Sequence, residues 1–213
     1  MVKSISKGSI NMEKDINNNN YVKNQNPYNK YKQYISNDVL KYYYQFIHLK
    51  NLYRQGWLKE IIGIEAENRI ETAADHSWSV AMLCMTIIQK YQLDLDYQKC
   101  MVLAIIHELG EIYAGDFIPN QVSKEEKHKL EEKAVDTFLS EALFDNDFKN
   151  LWLEYENRTT KEAVFVKEVD KLEPILQSIA YGVKPKSYFK DEVITIPCLR
   201  KVLNDAYNLS NIE

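Results

Sequence analysis

His107 and Glu108 stand side by side in the run from Ala104 to Asp116, AIIHELGEIYAGD, with His76 upstream and Asp170 downstream. Two neutral imidazoles and two carboxylates form a mixed nitrogen and oxygen donor set that suits a divalent first-row cation. All four residues fall in stretches that read as helix, so they meet only if separate helices pack around one point. A lone histidine on an apolar helix face is ordinarily a satisfied core residue. The neighbouring acids change that reading. Glu108, Glu111 and Asp116 lie in or just past the same apolar run as His107, and carboxylates are rarely buried unless paired or bound to a cation. His107 and Glu111, four apart, share a helical face. Glu108 lies about 100° around the axis from His107, so the two reach one ion only at the shared edge of their faces.

The elements that must position these side chains are helical throughout. Asp38 is expected to cap a helix through Tyr53, with Leu40, Tyr43, Phe46, Ile47 and Leu49 as its apolar stripe and Gly56 as its stop. A loop from Trp57 to Thr72 follows, with room for a brief extended stretch. A helix from about Ala73 to Tyr91 carries His76, Val80, Leu83 and Ile87 on one face. Asp94 or Asp96 opens the next, which continues through His107 to Ala114 and ends at Gly115. Ser123 and Glu126 form a capping box for a charged helix to about Leu143, and a short helix covers roughly Asp147–Glu156. Thr159 and Glu162 make a second box, opening a helix that holds Asp170 and reaches about Tyr181. Pro174 in that helix removes the donor for the carbonyl of Asp170 and predicts a kink. A last helix is expected from Pro197 to Asn208. No repeat and no strand pattern is present, so the fold expected is an all-α, single-domain helical bundle.

Composition narrows the class. The chain has 213 residues, 45% hydrophobic, with a net charge of −4, which suits one domain with a sizeable core. Residues 1–33, rich in Asn and Lys, are too polar to offset their ordering entropy and are expected to form a disordered tail, with the domain spanning 34–213. Tyr28, Tyr31 and Tyr34 offer a short docking patch there, although an Asn-biased leader without function is the plainer reading. The tail's six lysines face only Glu13 and Asp15, so the body is more acidic than the whole and makes a poor surface for nucleic acid. No apolar run reaches the length of a membrane span, and no apolar leader follows the initial Met. Cys84, Cys100 and Cys198 are odd in number and read as buried thiols, which points to a cytoplasmic protein.

Five segments together carry a resemblance. Arg54-Gln-Gly-Trp57, Glu71-Thr-Ala-Ala-Asp-His76-Ser-Trp, His107-Glu-Leu-Gly-Glu111-Ile-Tyr-Ala-Gly-Asp116, Ser123-Lys-Glu-Glu-Lys-His-Lys-Leu-Glu131 and Phe165-Val-Lys-Glu-Val-Asp170-Lys-Leu-Glu173 resemble the HD-domain metal-dependent phosphohydrolases, in particular their 5′-deoxynucleotidase branch. The similarity spans about residues 38–182. It implies one divalent metal ion (Mn, Co, Zn, Fe or Mg) on His76, His107, Glu108 and Asp170. It further implies hydrolysis of 2′-deoxynucleoside 5′-monophosphates to deoxynucleoside and phosphate, and a homodimer. The family's doublet is His-Asp, whereas this chain has His107-Glu108, longer by one carbon.

In the role the resemblance assigns, Glu111 orients or deprotonates the attacking water; its plainer reading is a solvated helix glutamate. Asp116, past Gly115, touches substrate or water by the same resemblance, or is simply part of a helix stop. The resemblance also implies that Arg54 holds the 5′-phosphate, as a guanidinium fork can, unless it is a solvated cation at a helix end, and that Trp57 helps favour deoxyribose. Lys124 and Lys127 could approach an anionic ligand but read more plainly as a charged helix face; Trp78 and Trp152 read as packing residues, and His48 and His128 as lying outside the site. Two alternatives stay open: an HD hydrolase acting on another nucleotide, and a nucleotide-binding module weakened catalytically by Glu108.

Overall fold

Helix faces that must bury apolar stripes, with polar breaks between them, produce a stack of helices among the described residues. The computed structural model describes residues 26–60, 70–118, 121–140, 146–183 and 193–209. Its helices are α1 (Pro27–Tyr31), α2 (Asp38–Phe46), α3 (Gln55–Glu60), α4 (Ala73–Tyr91), α5 (Tyr97–Ile106), α6 (Glu111–Ala114), α7 (Lys124–Ser140), α8 (Asn146–Asn157), α9 (Lys161–Ala180) and α10 (Pro197–Leu209), with 3-10 turns at Lys32–Tyr34 and Ile47–Lys50. No strand occurs among the described residues, and no described helix is long and apolar enough to cross a membrane.

Two apolar clusters hold the stack together. One joins α4, α5, α9 and α10 through Val80, Cys84, Leu103, Phe165, Val169, Leu172 and Leu203. The other joins the 47–52 turn, α5, α6, α7 and α8 through Leu49, Leu52, Ile106, Ile112, Val135, Phe138 and Trp152. His76 follows Ala73 of the second cluster and precedes Val80 of the first, and His107 likewise stands between Leu103 and Leu109. The acids and imidazoles therefore lie along the seam between the clusters.

Several boundaries differ from the sequence expectation, each for a local reason. The first long helix is capped by Asn37, whose side chain accepts from Leu40 N at 3.3 Å, and it stops at Phe46 instead of Tyr53. It cannot continue, because Tyr53 forms an antiparallel bridge with Thr72; the Arg54 amide donates to Glu71 O at 3.2 Å and Ala73 N to Leu52 O at 2.8 Å. Gly56 does not end a helix but lies inside α3, where a loop is expected; residues 61–69 of that loop are outside the described set. Asp96, not Asp94, caps α5, accepting from Lys99 N at 3.0 Å. Thr160 caps α9 in place of Thr159, and Glu162 instead accepts from the Asp96 amide at 3.0 Å. α9 runs through Pro174 as one helix. Residues 1–25 of the expected tail and residues 141–143 of the charged helix lie outside the described residues. Residues 26–33 of that tail depart from a disordered reading: Tyr28 is buried and Tyr31 packs on Tyr44 at 5.3 Å.

The main correction concerns the helix expected from Asp94 or Asp96 through Ala114. It breaks into α5 and α6 at His107–Gly110. The amides of Leu109, Glu111 and Ile112 each bond the carbonyl three residues back, at 3.0, 3.0 and 3.2 Å. That winding turns about 120° per residue instead of 100° and redirects Glu108. Gly110 is suited to the break, being a poor helix former, and α7 packs directly against it. A Cβ there would sit 2.7 Å from Glu131 Cβ and 3.2 Å from its Cα. Gly110→Ala should therefore push α7 away and cost about 1–3 kcal/mol, a fall in Tm of roughly 2–4 °C per kcal/mol in thermal unfolding; an unchanged Tm would mean the contact is slack.

Candidate metal centre

Each side chain at the seam is delivered by a different element. His76 lies one turn into α4, whose start is fixed by a reciprocal capping box: Asp75 N donates to Thr72 Oγ1 at 3.2 Å and Thr72 N to Asp75 Oδ2 at 2.8 Å. His107 is the last residue of the α5 ladder, Glu108 opens the tight turn, and Asp170 sits midway along α9. All four are buried, His76 completely.

Their donor atoms converge. His76 Nε2 lies 3.1 Å from Asp170 Oδ1 and 3.5 Å from Glu108 Oε1; His107 Nε2 lies 3.4 Å from Glu108 Oε1 and 4.0 Å from Asp170 Oδ1. One ligand atom from each of the four lies within 4.8 Å of every other. Ligands held about 2.0–2.2 Å from a single ion stand roughly 3–4.4 Å apart, so the set has the dimensions of one coordination sphere. The ring tautomers fit as well. His107 Nδ1 donates to Ala104 O at 2.8 Å, which turns the Nε2 lone pair inward, and that buried Nε2 has no hydrogen-bond partner. His76 Nδ1 meets Glu173 Oε2 at 2.7 Å, an arrangement that orients a ligating imidazole from behind. The donors present therefore fit a divalent cation, whose identity they leave open.

Electrostatics point the same way. Six buried acids (Glu71, Glu108, Glu111, Asp116, Asp170 and Glu173) surround the two imidazoles. Burial opposes charge on Asp170, but Lys171, the His76 hydrogen bond and His107 hold its carboxyl well below the aspartate range. Burial opposes charge on Glu108 too, and Arg54 and His107 hold it low. Burial and the Arg54 charge lower His76, yet its carboxylate partners lift it to about 9. Glu111 goes the other way: burial first, then the Glu108 and Asp116 charges, push it well above the glutamate range. Its Oε1 lies 3.7 Å from Lys127 Nζ, while Oε2 is buried without a hydrogen-bond partner.

Glu108 remains in the cluster despite its extra carbon. The same Oε1 that faces both imidazoles also accepts from Arg54 Nη1 at 2.6 Å. Arg54 thus stands at the edge of the cluster and is not a solvated cation. Glu71 links it to Trp57: Arg54 Nε lies 3.9 Å from Glu71 Oε1, and Trp57 Nε1 donates to that oxygen at 2.6 Å. Trp57 is buried and packs edge-on against Tyr181 at 5.4 Å. Asp116 Oδ2 accepts from Gln55 N at 2.5 Å, so its carboxylate ties down the start of α3 beside Arg54.

Sequence reasoning missed several members of this network. Glu173 follows Asp170 by three residues on one helix, a spacing that could have flagged it. Glu71 lies in a quoted motif without an assigned part. Tyr155 had no signal at all. Lys127, read as a charged helix face, instead pairs with Glu111 and Glu131, the latter at 3.2 Å. Trp78, read as packing, is 67% exposed, whereas Trp152 is buried as expected. His128 stacks on Trp152, centroids 5.9 Å apart, away from the cluster, and His48 is buried elsewhere. Cys84 and Cys100 are buried and Cys198 partly so, all three as free thiols.

Comparison with known proteins adds an independent line. The family model described as HD domain matches residues 47–201. The 5′-deoxynucleotidase hdd1 of Schizosaccharomyces pombe is 35% identical over 171 residues, 74% of this chain and 82% of that protein. The 5′-deoxynucleotidase HDDC2 of Dictyostelium discoideum is 36% identical over 147 residues, 64% and 74% respectively. Among solved structures, a conserved hypothetical protein from Pyrococcus furiosus superposes with a TM-score of 0.63 at 29% identity, covering 79% of this chain and 99% of that one.

A cation on these donors has a direct consequence. Replacing His76 or Asp170 by Ala should abolish bound metal in elemental analysis of the purified protein, with the helical content unchanged. Full metal content in Asp170→Ala would put the ion elsewhere.

Proposed function

The chain belongs to the HD domain family, and from that premise we propose that it is a metal-dependent phosphomonoesterase releasing phosphate from 2′-deoxynucleoside 5′-monophosphates. The observation that carries this reading is the convergence of His76, His107, Glu108 and Asp170 donor atoms in a buried sphere, with the Arg54 guanidinium bonded to the Glu108 oxygen at 2.6 Å. A cation site and a phosphate-binding fork side by side are what phosphate ester hydrolysis requires. The named 5′-deoxynucleotidase relatives support the choice of substrate.

When bound by those four residues, a divalent ion supplies a Lewis acid for a phosphoryl oxygen and lowers the pKa of a water. The protein's own groups do the rest. Arg54 is held at the edge of the cluster by Glu108 and Glu71, where its fork can take two phosphate oxygens. Glu111 is the base: its buried Oε2 is uncommitted and free to take a proton from the attacking water. Lys127 lies 3.7 Å from the other oxygen of that carboxylate and faces it with a positive charge. Asp116 acts on α3, holding the Gln55 amide and through it the Arg54–Trp57 segment. Trp57, fixed by Glu71 and Tyr181, gives the sugar side of the site a rigid wall that favours deoxyribose. Enclosure of these groups in low dielectric strengthens each charge interaction.

The test is a panel of 2′-deoxy- and ribonucleoside 5′-monophosphates incubated with the metal-stripped protein plus Mn, Co, Zn, Fe or Mg, read as inorganic phosphate. Metal-dependent release from the deoxy series is expected; nucleotide binding without release under every ion would leave a binding module instead. Glu111→Gln should keep the metal and lose about 10²–10⁴ in kcat, and wild-type turnover in that variant would remove Glu111 from the base role. Arg54→Lys keeps the charge beside Glu108 but not the fork. It should lower kcat/KM by about 10–100-fold, mostly through KM.

A further inference from the structure

We propose that Tyr155, from α8, is a positioning residue of the cation site that braces two of the four ligand side chains at once. The inference rests on the metal reading of that site. Tyr155 is 1% exposed, and its hydroxyl donates to Asp170 Oδ2 at 2.8 Å. Its ring packs against the His107 imidazole, centroids 5.2 Å apart and planes inclined by 50°. Lys167 lies over the ring, Nζ 4.0 Å from its centroid.

The two oxygens of Asp170 are thereby divided. Oδ1 faces inward, 3.1 Å from His76 Nε2, while Oδ2 is taken by Tyr155 and, at 3.0 Å, by Lys171 Nζ. The Lys171 side chain is 49% exposed and adjacent in sequence, so it constrains the carboxylate weakly. Tyr155 is the rigid partner, a buried phenol with two torsions locked by packing. Without its hydroxyl, Asp170 could rotate and present either oxygen, and the geometry His76 and His107 share with it would lose definition. A phenylalanine would fill the same space and ask for no acceptor. The phenol is therefore a specific choice, directed at a donor of the cation site. Hydrogen bonds that orient the side chains holding a metal typically carry ten- to hundredfold in metal affinity.

The experiment titrates Co²⁺ into chelator-stripped protein against a competing chelator, for wild type, Tyr155→Phe and Trp152→Phe. Trp152 is equally buried on the same helix but belongs to the apolar cluster, stacked on His128. It controls for general loosening, and thermal unfolding confirms that each variant is folded. Tyr155→Phe should bind Co²⁺ about ten- to hundredfold more weakly, with Trp152→Phe at the wild-type affinity. Wild-type affinity in Tyr155→Phe overturns the inference, as does an equal loss in both variants. If the wild type takes up no Co²⁺, the same titration runs with Mn²⁺, Zn²⁺, Fe²⁺ and Mg²⁺, and uptake of none of them overturns the metal reading itself and the inference with it.

Discussion

Buried like charge is the constraint on which the rest of this structure depends. Carboxylates from the 71 segment, the 107–110 turn, α6, the loop after it and α9 converge on two imidazoles in the seam between two apolar clusters. Ionised groups out of water cost several kcal/mol each unless paired. Arg54 and Lys127 neutralise part of the set from within. A divalent cation bound by His76, His107, Glu108 and Asp170 would offset about half of what remains. The chain thus carries an unfavourable local arrangement whose resolution is its function, the pattern expected where folding consistency is given up at a site.

The helices around the seam are placed by ordinary means. Val80, Leu103, Val169 and their neighbours bury themselves without regard to chemistry, and by doing so they set α4, α5 and α9 side by side. The unusual device is the tight turn after His107. Gly110 lets α7 approach to contact, and this brings Lys127 over Glu111 while the turn aims Glu108 inward. One glycine therefore serves both the packing and the electrostatics of the site.

The His-Glu doublet is accommodated by the same turn. The tightened winding turns Glu108 further round the axis than a regular helix would, and its Oε1 lies between the imidazoles and within reach of Arg54. That single oxygen couples the candidate cation site to the Arg54 guanidinium. Around it a second layer of contacts, from Glu173 to His76, from Ala104 to His107 and from Tyr155 to Asp170, fixes the direction of each ligand.

Much of this was legible in the residues alone. Periodicity placed the helix of His76 from Ala73 to Tyr91, capping chemistry placed most of the others to within a few residues, and the rarity of buried carboxylates singled out His76, His107, Glu108, Glu111, Asp116 and Asp170. The break at His107–Gly110 was not legible, because local pattern favours an unbroken helix and only the approach of α7 reveals why Gly110 interrupts it. Nor were the parts of Tyr155, Lys127 and Asp116, since a hydrogen bond depends on where a distant backbone puts two atoms. The amino-acid order by itself determined the donor chemistry and the helices that bear it, both properties of neighbours along the chain. Which donors share a sphere, and which groups hold them there, was decided by packing between segments far apart in sequence, where separations of a few tenths of an ångström set the energy.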